Sequence, residues 1–529
     1  MSGALGGPGE FNAELLRRIK FCIGVKRGSG YRCGGEAGED AKSKAVELLV
    51  ETINRILRWR IWDSWWVVEW MDEWLEKRDR LEVQLRGKYG DEVVNAITGL
   101  VDEFINYNEK FWNYWHKVDG EVKKLIEDLI NGRTEVVIRG EDVSGISVHG
   151  RYVTLEVDKM NNDSITVHLS LRGLKGVTIN VPNIFKMTMS KKEYSRFIRK
   201  VLKALRGGLE ETDGFVNGDK AAIGTSQVWQ VIIWALLYPG RARVRINAIN
   251  INENNVTVLW YLRSSHKPLK GIILNDANKL SEKELLAFMF TVILGDGSVD
   301  IVKVTKDSRV YDEAVIKIGM SSKKFNTWAP LLGRLKEMGF RSGKPDLAGD
   351  GVVDVRFYGS NAIGLTRAMI SVLPPILRDV LDTLDFEKWL SMKRVAEMEV
   401  RWRRGEMSID IAGYKFTVHI QNNTVMLEHK VRDDIETRKV IDALRARYGD
   451  EFAINVHKSG KQLAIRIPMY IFEKYEDIKE QVIEVLCRKL KKTKDEKKRQ
   501  VIIKHLKLLA PMKRAVVHIS SCVITPYLF

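Results

Sequence analysis

The chain has 529 residues and a formal net charge of +17, with 45% hydrophobic and 29% charged residues. This composition predicts a globular protein of about two to four domains, and the excess of positive charge favours a polyanionic partner such as DNA. The longest apolar runs, 228–238 and 285–294, are too short to span a membrane. The first residues lack the basic-then-apolar plan of a signal peptide, so we expect an intracellular, cytoplasmic protein.

The cysteines are few and widely spaced along the chain. They are Cys22, Cys33, Cys487 and Cys522, and no two of them form a CxxC pair. The spacing therefore predicts neither a disulfide framework nor a zinc site.

Residues 1–40 are rich in glycine and predict a flexible lead-in. Residues 41–132 predict two long helices joined at 87–90. Tryptophans recur every three or four residues along the first of these helices, at Trp59, Trp62, Trp66, Trp70 and Trp74. We expect an antiparallel helical hairpin that is separable from the rest of the chain, with the tryptophan stripe in its core. A partner-binding surface is the alternative interpretation of that stripe.

Residues 133–275 predict a strand-rich α+β region, because apolar and polar residues alternate through 134–181. Ser190 is the predicted N-cap of a helix that follows. A similar order of strands and helices recurs in 401–490, and the segment 177–185 resembles 463–472, which suggests an internal repeat. Four histidines of these strands have no metal-ligand spacing and are interpreted as ordinary sheet residues; they are His149, His168, His419 and His457.

The region 276–400 contains a long apolar run that ends in a Gly-Asp-Gly motif. Residues 285–294 form an apolar run that stops at Gly295-Asp296-Gly297 and continues as a strand. Such a run predicts a buried helix that ends at the glycines, which tolerate the positive φ of a helix stop, with the carboxylate of Asp296 at its end. Two strands, a helix, a strand and a helix are predicted to follow, which makes a central αββαβα unit. Its predicted shared core is Leu286, Phe290, Ile293, Leu332, Leu335 and Leu365.

The motif and this order of elements resemble one half-domain of the LAGLIDADG homing endonucleases, in the variant that ends in GDG. The resemblance covers about Lys283–Leu381 and includes the phrases IGMSSKKF, LLGRLKEMGF and FYGSNAIGLTRAM. In that family two such helices pack side by side, and their terminal acidic residues hold divalent metal over the scissile phosphates. The resemblance implies that Asp296 is a catalytic residue and a metal ligand, that the Gly295 carbonyl is a second ligand, and that Mg²⁺ is the cofactor if the protein is active.

Two carboxylates are needed for each active pair, so one motif requires a homodimer or a second acidic helix end. The apolar run 228–238 is the candidate for a second helix, but aligning ALLYPGRA with VILGDGSV places Pro239 where Asp296 stands. Either this is a signature helix that has lost its carboxylate, or it is an ordinary buried helix.

DNA contacts are predicted on the sheet that follows the motif. Strand alternation places Lys317 and Arg356 on a polar face, and we assign Lys303 to that face as well. Lys306 and Arg309 are predicted in the loop between the two strands.

The last region, 491–529, predicts a basic helix and a tail of changed character. The whole chain is therefore predicted to be α+β: an N-terminal helical hairpin, strand-rich flanking regions and the central unit. Taken together it resembles the multicopy paREP proteins of hyperthermophilic archaea, a resemblance that implies a mobile or repeated gene.

Three functions compete at this point. The first is a DNA-binding protein of LAGLIDADG-like fold with degenerate or absent nuclease activity. The second is an active Mg²⁺-dependent endonuclease that works as a dimer, and the third is a non-catalytic interaction protein. The first is preferred, because the sequence contains no convincing second acidic helix end.

Overall fold

The structure is a computed structural model, and it describes residues 14, 17–27, 30–63, 65–140, 142–159, 165–171, 173–306, 309–348, 351–399, 407–431, 433–459, 462–493 and 495–509. Helices and strands are both abundant, which confirms the α+β class. The chain divides into two compact units. Unit 1 comprises residues 1–275 with 374–386, and unit 2 comprises 276–373 with 387–529. Among the described residues, no helix is both long and apolar enough to cross a membrane.

Unit 1 consists of helices packed on a large mixed sheet. Its strands are β1 Lys20–Arg27, β2 Gly30–Glu36, β3 Glu135–Arg139, β4 Gly145–His149, β5 Val153–Lys159, β6 Ile165–Leu171, β7 Val177–Val181, β8 Gly214–Asn217, β9 Lys220–Thr225, β10 Gly240–Ile251 and β11 Val256–Ser264. Its helices are α1 Glu39–Trp59, α2 Trp65–Arg86, α3 Asp91–Ile130, α4 Ile184–Thr188, α5 Lys191–Phe197, α6 Lys203–Thr212, α7 Val228–Leu237 and α8 Ile272–Asn275. The strand order of this 11-stranded sheet is β2-β1-β3-β4-β5-β6-β10-β11-β9-β8, with β7 paired to β10.

The Gly-rich start of the chain is not a flexible lead-in where the structure describes it. Strands β1 and β2 form a hairpin, and β1 runs parallel to β3 from Lys20 to Ile23. The prediction missed these strands because glycines interrupt the alternation of side chains, whereas pairing with β3 satisfies the backbone of β1. Cys22 and Cys33 lie on this hairpin and are joined by a disulfide, which the cysteine spacing did not predict.

The predicted helical hairpin has three helices rather than two. The first predicted helix is broken at Arg60, which adopts φ 43° and whose N–H bonds to the Leu57 carbonyl. No glycine or proline marks this break in the sequence. The tryptophan stripe was predicted to lie in the core. This prediction is confirmed for Trp66, Trp70 and Trp74, which are buried.

The helices of this region are not separable from the sheet. The Trp260 ring on β11 lies 5.2 Å from the Trp74 ring and 5.7 Å from the Phe104 ring, measured between centroids. Strand and helices therefore share one aromatic core. The prediction of an independent hairpin is wrong, because the indoles that seemed to complete a two-helix core also contact a residue more than a hundred positions away.

The apolar run 228–238, which the sequence analysis compared with the helix that ends at Asp296, forms α7. It is buried from Val231 to Leu237, and Pro239 separates it from β10. Elsewhere in unit 1, Ser190 caps α5 as predicted, through a capping box with Glu193.

Unit 2 contains two smaller sheets. Its strands are β12 Gly297–Lys306, β13 Arg309–Ser321, β14 Asp346–Ala348, β15 Val352–Tyr358, β16 Ser408–Ile411, β17 Tyr414–Ile420, β18 Val425–Val431, β19 Asn455–Ser459 and β20 Gln462–Pro468. Its helices are α9 Glu282–Gly295, α10 Ser322–Glu337, α11 Ser360–Ser371, α13 Glu387–Glu397, α14 Asp434–Tyr448, α15 Met469–Phe472, α16 Glu476–Lys492 and α17 Glu496–Leu509. The sheet orders are β12-β13-β15-β14 and β16-β17-β18-β20-β19.

The central unit is αββαββα instead of αββαβα, because the short strand β14 is added at the edge of the sheet. Five of the six predicted core residues are buried, and Leu332 is half-buried. Helix α12, Pro375–Leu384, interrupts the predicted domain 276–400 because it belongs to unit 1. There, Asp379 accepts hydrogen bonds from Lys88 (2.6 Å) and Tyr89 (2.7 Å).

The second sheet of unit 2 shares one hydrophobic core with the helices that follow its strands, and this core includes Phe416, Leu427, Ile465 and Val482. A strand, a proline and a short helix follow one another at Pro468, as they do at Pro182. Helix α14 has no counterpart in 133–206. A full internal repeat therefore stays a prediction. The predicted basic helix is formed by the end of α16 and by α17, whose Ile502, Leu506 and Leu509 are buried. The tail 510–529 lies outside the described residues.

Candidate nucleic-acid interface and the helix end at Asp296

Helix α9 is a buried helix with well-defined ends. Ser281 and Glu284 form a capping box at its start, in which the Glu284 carboxylate accepts the Ser281 backbone N–H at 2.8 Å. Every residue from Leu285 to Leu294 is buried, as the apolar run predicts. At the other end, Asp296 is the C-cap, is exposed, and donates its backbone N–H to the Val292 carbonyl.

The glycines at this helix end are required for a different reason from the predicted one. Gly295 and Gly297 are not among the residues with positive φ. A Cβ at Gly297 would instead lie 2.7 Å from the Ile293 Cα and 3.0 Å from the Ile293 carbonyl oxygen. Gly297 is therefore a place where β12 passes too close to the last turn of α9 for any side chain.

We expect Gly297→Ala to lower the free energy of unfolding by about 2–3 kcal/mol, because the added methyl group meets backbone atoms that cannot move alone. Thermal unfolding followed by circular dichroism measures the effect. Gly319→Ala on β13 is the matched control, since its Cβ would have its nearest contact at 3.5 Å. Equal thermal unfolding midpoints for the two variants would contradict the close approach of Gly297 to Ile293.

A lysine from α13 occupies the end of α9. The Lys388 ammonium donates hydrogen bonds to the carbonyl oxygens of Leu294 (2.8 Å) and Gly295. A cation at the C-terminus of a helix is stabilised by the partial negative charge of the last carbonyls. Lys388 therefore places a fixed positive charge on the carbonyl that the family resemblance assigns to a metal.

The strand register defines an open face on the four-stranded sheet. Lys317 on β13 lies directly opposite Arg356 on β15, and Ser298 on β12 is opposite Lys317. The other face carries Ile316, Ile318, Val353, Val355 and Phe357, which are buried. The predicted alternation of β13 and β15 is confirmed. Lys303 was predicted on the open face, but its register with Asp312 and its spacing from the buried Val299 place it on the opposite face.

A buried carboxylate organises the two basic residues of the open face. Asp354 is 3% exposed, and it bonds to Lys317 (2.9 Å) and Arg356 (2.8 Å). Burial raises the pKa of the Asp354 carboxyl, but the hydrogen bonds from Lys317 and Arg356 outweigh burial and hold the pKa below its usual range. Arg356 also bonds to Asp346 at 3.2 Å. The middle of the open face is therefore ordered and close to neutral.

The far half of the β12–β13 hairpin extends past the rest of the sheet. Strand β15 pairs with β13 only along 315–321, so residues 301–306 and 309–314 form a two-stranded ribbon. Ile301, Val302 and Val310 are exposed on it, at 40%, 39% and 65%. Lys306 and Arg309 close this ribbon as a backbone pair rather than lying in a loop, and their side chains lie outside the described residues.

The predicted metal site has little support from its surroundings. Among the described residues, Asp296 is not part of any group of three His, Cys, Asp or Glu side chains whose ligand atoms lie within 4.8 Å of one another. The Gly295 carbonyl already accepts the Lys388 ammonium. These residues do not fit Mg²⁺ on this chain alone, and the role of Asp296 and Gly295 as metal ligands stays a prediction.

Sequence reasoning missed two of the residues that shape this region. Lys388 is more than ninety positions from Gly295, and no local pattern connects them. The alternation of the predicted strand places Asp354 on the same face as Arg356, but its role as the partner of both basic residues was not predicted.

The similarities of this chain to known proteins are confined to solved structures. No protein-family model matches the chain, and no curated protein matches it. Among solved structures, it is similar to the I-SmaMI LAGLIDADG homing endonuclease bound to cleaved DNA, with 10% identity, a TM-score of 0.13, and coverage of 46% of this chain and 96% of that one. It is also similar to the LAGLIDADG meganuclease I-CpaMI bound to uncleaved DNA, with 11% identity, a TM-score of 0.12, and coverage of 40% and 92%. With TM-scores this low, an assignment of function to this chain has to come from its own residues.

Proposed function

We propose that this protein binds duplex DNA through the β12–β13 ribbon and the adjoining open face of the four-stranded sheet, without efficient cleavage. The observation that carries the proposal is the ribbon itself, 301–306 with 309–314. It extends past the sheet, and Lys303, Lys306 and Arg309 lie on its far half. A two-stranded ribbon fits the major groove of B-DNA, which is about 12 Å wide.

The open face supports the ribbon by providing ordered polar groups. Lys317 and Arg356 are held in place by Asp354, so each loses little side-chain freedom when it meets a phosphate. Because Asp354 and Asp346 balance the charge of Lys317 and Arg356, we assign the attraction for phosphate to Lys303, Lys306 and Arg309 on the ribbon, which also carries Asp312 and Glu313. Phosphate contacts of this kind position a protein on DNA without reading its sequence.

The arrangement of charges at the end of α9 is the reason that we propose weak or absent nuclease activity. One exposed carboxylate, Asp296, stands beside a carbonyl that already holds the Lys388 ammonium. An ammonium repels a divalent cation at short range. Among the described residues, Asp296 belongs to no group of three metal-ligating side chains that could offset this repulsion. The resemblance to the paREP proteins and the mobile-gene origin remain predictions from the sequence.

We expect a 30-base-pair duplex to bind the chain with an affinity that falls steeply with salt. In the triple variant Lys303→Glu, Lys306→Glu, Arg309→Glu the affinity should fall by roughly 100-fold, and the salt slope should decrease by about 0.9 for each phosphate that the variant no longer neutralises. Fluorescence anisotropy between 50 and 200 mM salt measures both quantities.

The matched control reverses the same charges elsewhere on the chain. Lys191, Lys192 and Arg196 are exposed on α5, so Lys191→Glu, Lys192→Glu, Arg196→Glu changes the net charge equally. If both triple variants lose the same affinity, the attraction belongs to the overall charge and not to the ribbon.

We expect Asp296→Asn to bind DNA as tightly as the unmodified chain, or slightly more tightly, because a negative charge near phosphate is removed. Incubation of a supercoiled plasmid with Mg²⁺ tests cleavage. Efficient double-strand cleavage by the unmodified chain that disappears in Asp296→Asn would disprove the non-cleaving proposal and would favour a catalytic dimer.

A further inference from the structure

Three metal-ligating side chains meet at one edge of the large sheet of unit 1. Glu135 on β3 pairs with Lys20 on β1, two residues before Cys22. On the other side of β1, a bulge between Ile23 and Gly24 shifts the register, so that Cys33 and not Gly34 lies across from Gly24. The bulge and the parallel pairing together bring Cys22, Cys33 and Glu135 to the same face of three neighbouring strands.

The ligand atoms of these residues are close together. The two sulfurs and one carboxylate oxygen all lie within 4.8 Å of one another. The Cys22 Sγ is 3.2 Å from the Glu135 Oε1, and the Cys33 Sγ contacts the same oxygen. Among the described residues, this is the group of His, Cys, Asp and Glu side chains that meets these distances.

The disulfide offers no hydrogen-bond donor to the exposed Glu135 carboxylate beside it. In the structure Cys22 and Cys33 are bonded, with their Cα atoms 5.5 Å apart. A disulfide has no S–H to donate, so the carboxylate oxygen faces two sulfur atoms that carry lone pairs. Two thiols donate S–H to such an oxygen, and a cation bound between all three groups uses it as a ligand.

We propose that Cys22, Cys33 and Glu135 form a binding site for Zn²⁺ or a similar divalent ion when the disulfide is reduced. Two thiolates and a carboxylate are ligands that Zn²⁺ accepts, and water would complete four-coordination. Thiolates are soft ligands that do not suit Mg²⁺ or Ca²⁺, so this site is chemically distinct from the one predicted at Asp296. Cys33 and Glu135 are exposed, which gives reductant and metal access to the site.

The chemistry of the exchange balances with a named reductant. A phosphine attacks one sulfur, breaks the S–S bond and takes up the oxygen of one water molecule to become a phosphine oxide, and the protein is left with two thiols. Binding of Zn²⁺ then displaces the two thiol protons into solvent. The disulfide and the metal therefore exclude each other, and either one fastens the edge strand β2 to β1.

The test uses the full chain and Co²⁺ as a spectroscopic probe. After reduction by a phosphine and its anaerobic removal, we expect one Co²⁺ to bind per chain and to give a thiolate-to-cobalt charge-transfer band in the near ultraviolet that Zn²⁺ abolishes. The oxidised chain should give no band. Glu135→Gln should weaken Co²⁺ binding at least 10-fold, and Cys33→Ser should remove most of the band.

The control is Cys487→Ala, which removes a disulfide-bonded cysteine of unit 2 and should leave the band unchanged. Circular dichroism checks that each variant keeps the fold, which the exposure of Cys33 and Glu135 favours. No band in the reduced unmodified chain would overturn the proposal. Equal binding by Glu135→Gln and by the unmodified chain, or loss of the band in Cys487→Ala, would also overturn it.

Discussion

Trp260→Ala is expected to lower the free energy of unfolding by about 4 kcal/mol, because it removes a buried indole from the centre of an aromatic cluster. The Trp260 ring lies within 6.0 Å of the rings of Trp70, Trp74, Phe104 and Tyr107, measured between centroids. Helices α2 and α3 would no longer be held against β11 by this ring. Thermal and urea unfolding, followed by tryptophan fluorescence, measure the decrease in stability.

Two variants separate the role of packing from the general cost of losing a tryptophan. Trp260→Phe should cost less than about 1.5 kcal/mol, since it keeps an aromatic ring and removes a buried N–H that has no hydrogen-bond partner. Trp112→Ala, at a half-buried position of α3, should cost about 1 kcal/mol. If Trp260→Ala costs no more than Trp112→Ala, the shared core of helices and sheet is disproved.

Glu210→Ala is expected to lower the free energy of unfolding by about 3–5 kcal/mol, because it leaves several buried hydrogen-bond donors of unit 1 without an acceptor. Glu210 is 0% exposed. Its carboxylate accepts the Tyr238 hydroxyl and the backbone N–H groups of Leu269 (2.6 Å) and Lys270 (3.0 Å). It therefore joins α6 to the end of α7 and to the segment before α8.

The pH dependence of stability gives this prediction a second measurement. Burial raises the pKa of the Glu210 carboxyl, although Tyr238 and the backbone donors oppose the rise. In the pH range between its unfolded and folded pKa values, the folded chain binds more protons than the unfolded chain. The stability contributed by Glu210 is therefore complete below its unfolded pKa and is lost as the pH rises through the folded value.

Glu210→Gln should cost less than Glu210→Ala and should remove this pH-dependent contribution, because the amide accepts hydrogen bonds but does not titrate. Urea unfolding between pH 4 and pH 8 compares the variants. An unchanged pH dependence in Glu210→Gln would mean that Glu210 is not the titrating group, and a decrease under 1 kcal/mol in Glu210→Ala would mean that water replaces the carboxylate.

The elements that the sequence determined by itself are those with strong local patterns. The apolar run 285–294 specified a buried helix, and the Ser281 capping box marks where it starts. The alternation of β13 and β15 identified the face of Lys317 and Arg356 correctly, because side-chain period in a strand does not depend on the rest of the fold. The same local signals placed Ser190 at its helix start.

Other features were decided by tertiary structure because they depend on residues far apart in the chain. Strand β1 exists through its pairing with β3, and the bulge beside Gly24 brings Cys33 to the face of Cys22 and Glu135. Helix α12 joins unit 1 through Asp379, although its neighbours in sequence belong to unit 2. The tryptophan stripe predicted a helical core, but only the folded chain shows that Trp260 completes it.

The end of α9 illustrates the same division within one motif. Local sequence was sufficient to place Asp296 at a helix end, since an apolar helix cannot continue through Gly-Asp-Gly into a strand. The requirement for Gly297 comes from how closely β12 passes Ile293, and the charge at the Gly295 carbonyl comes from Lys388. Short-range patterns specify where helices and strands lie, whereas the charge and space around a functional group depend on which distant residues pack against it.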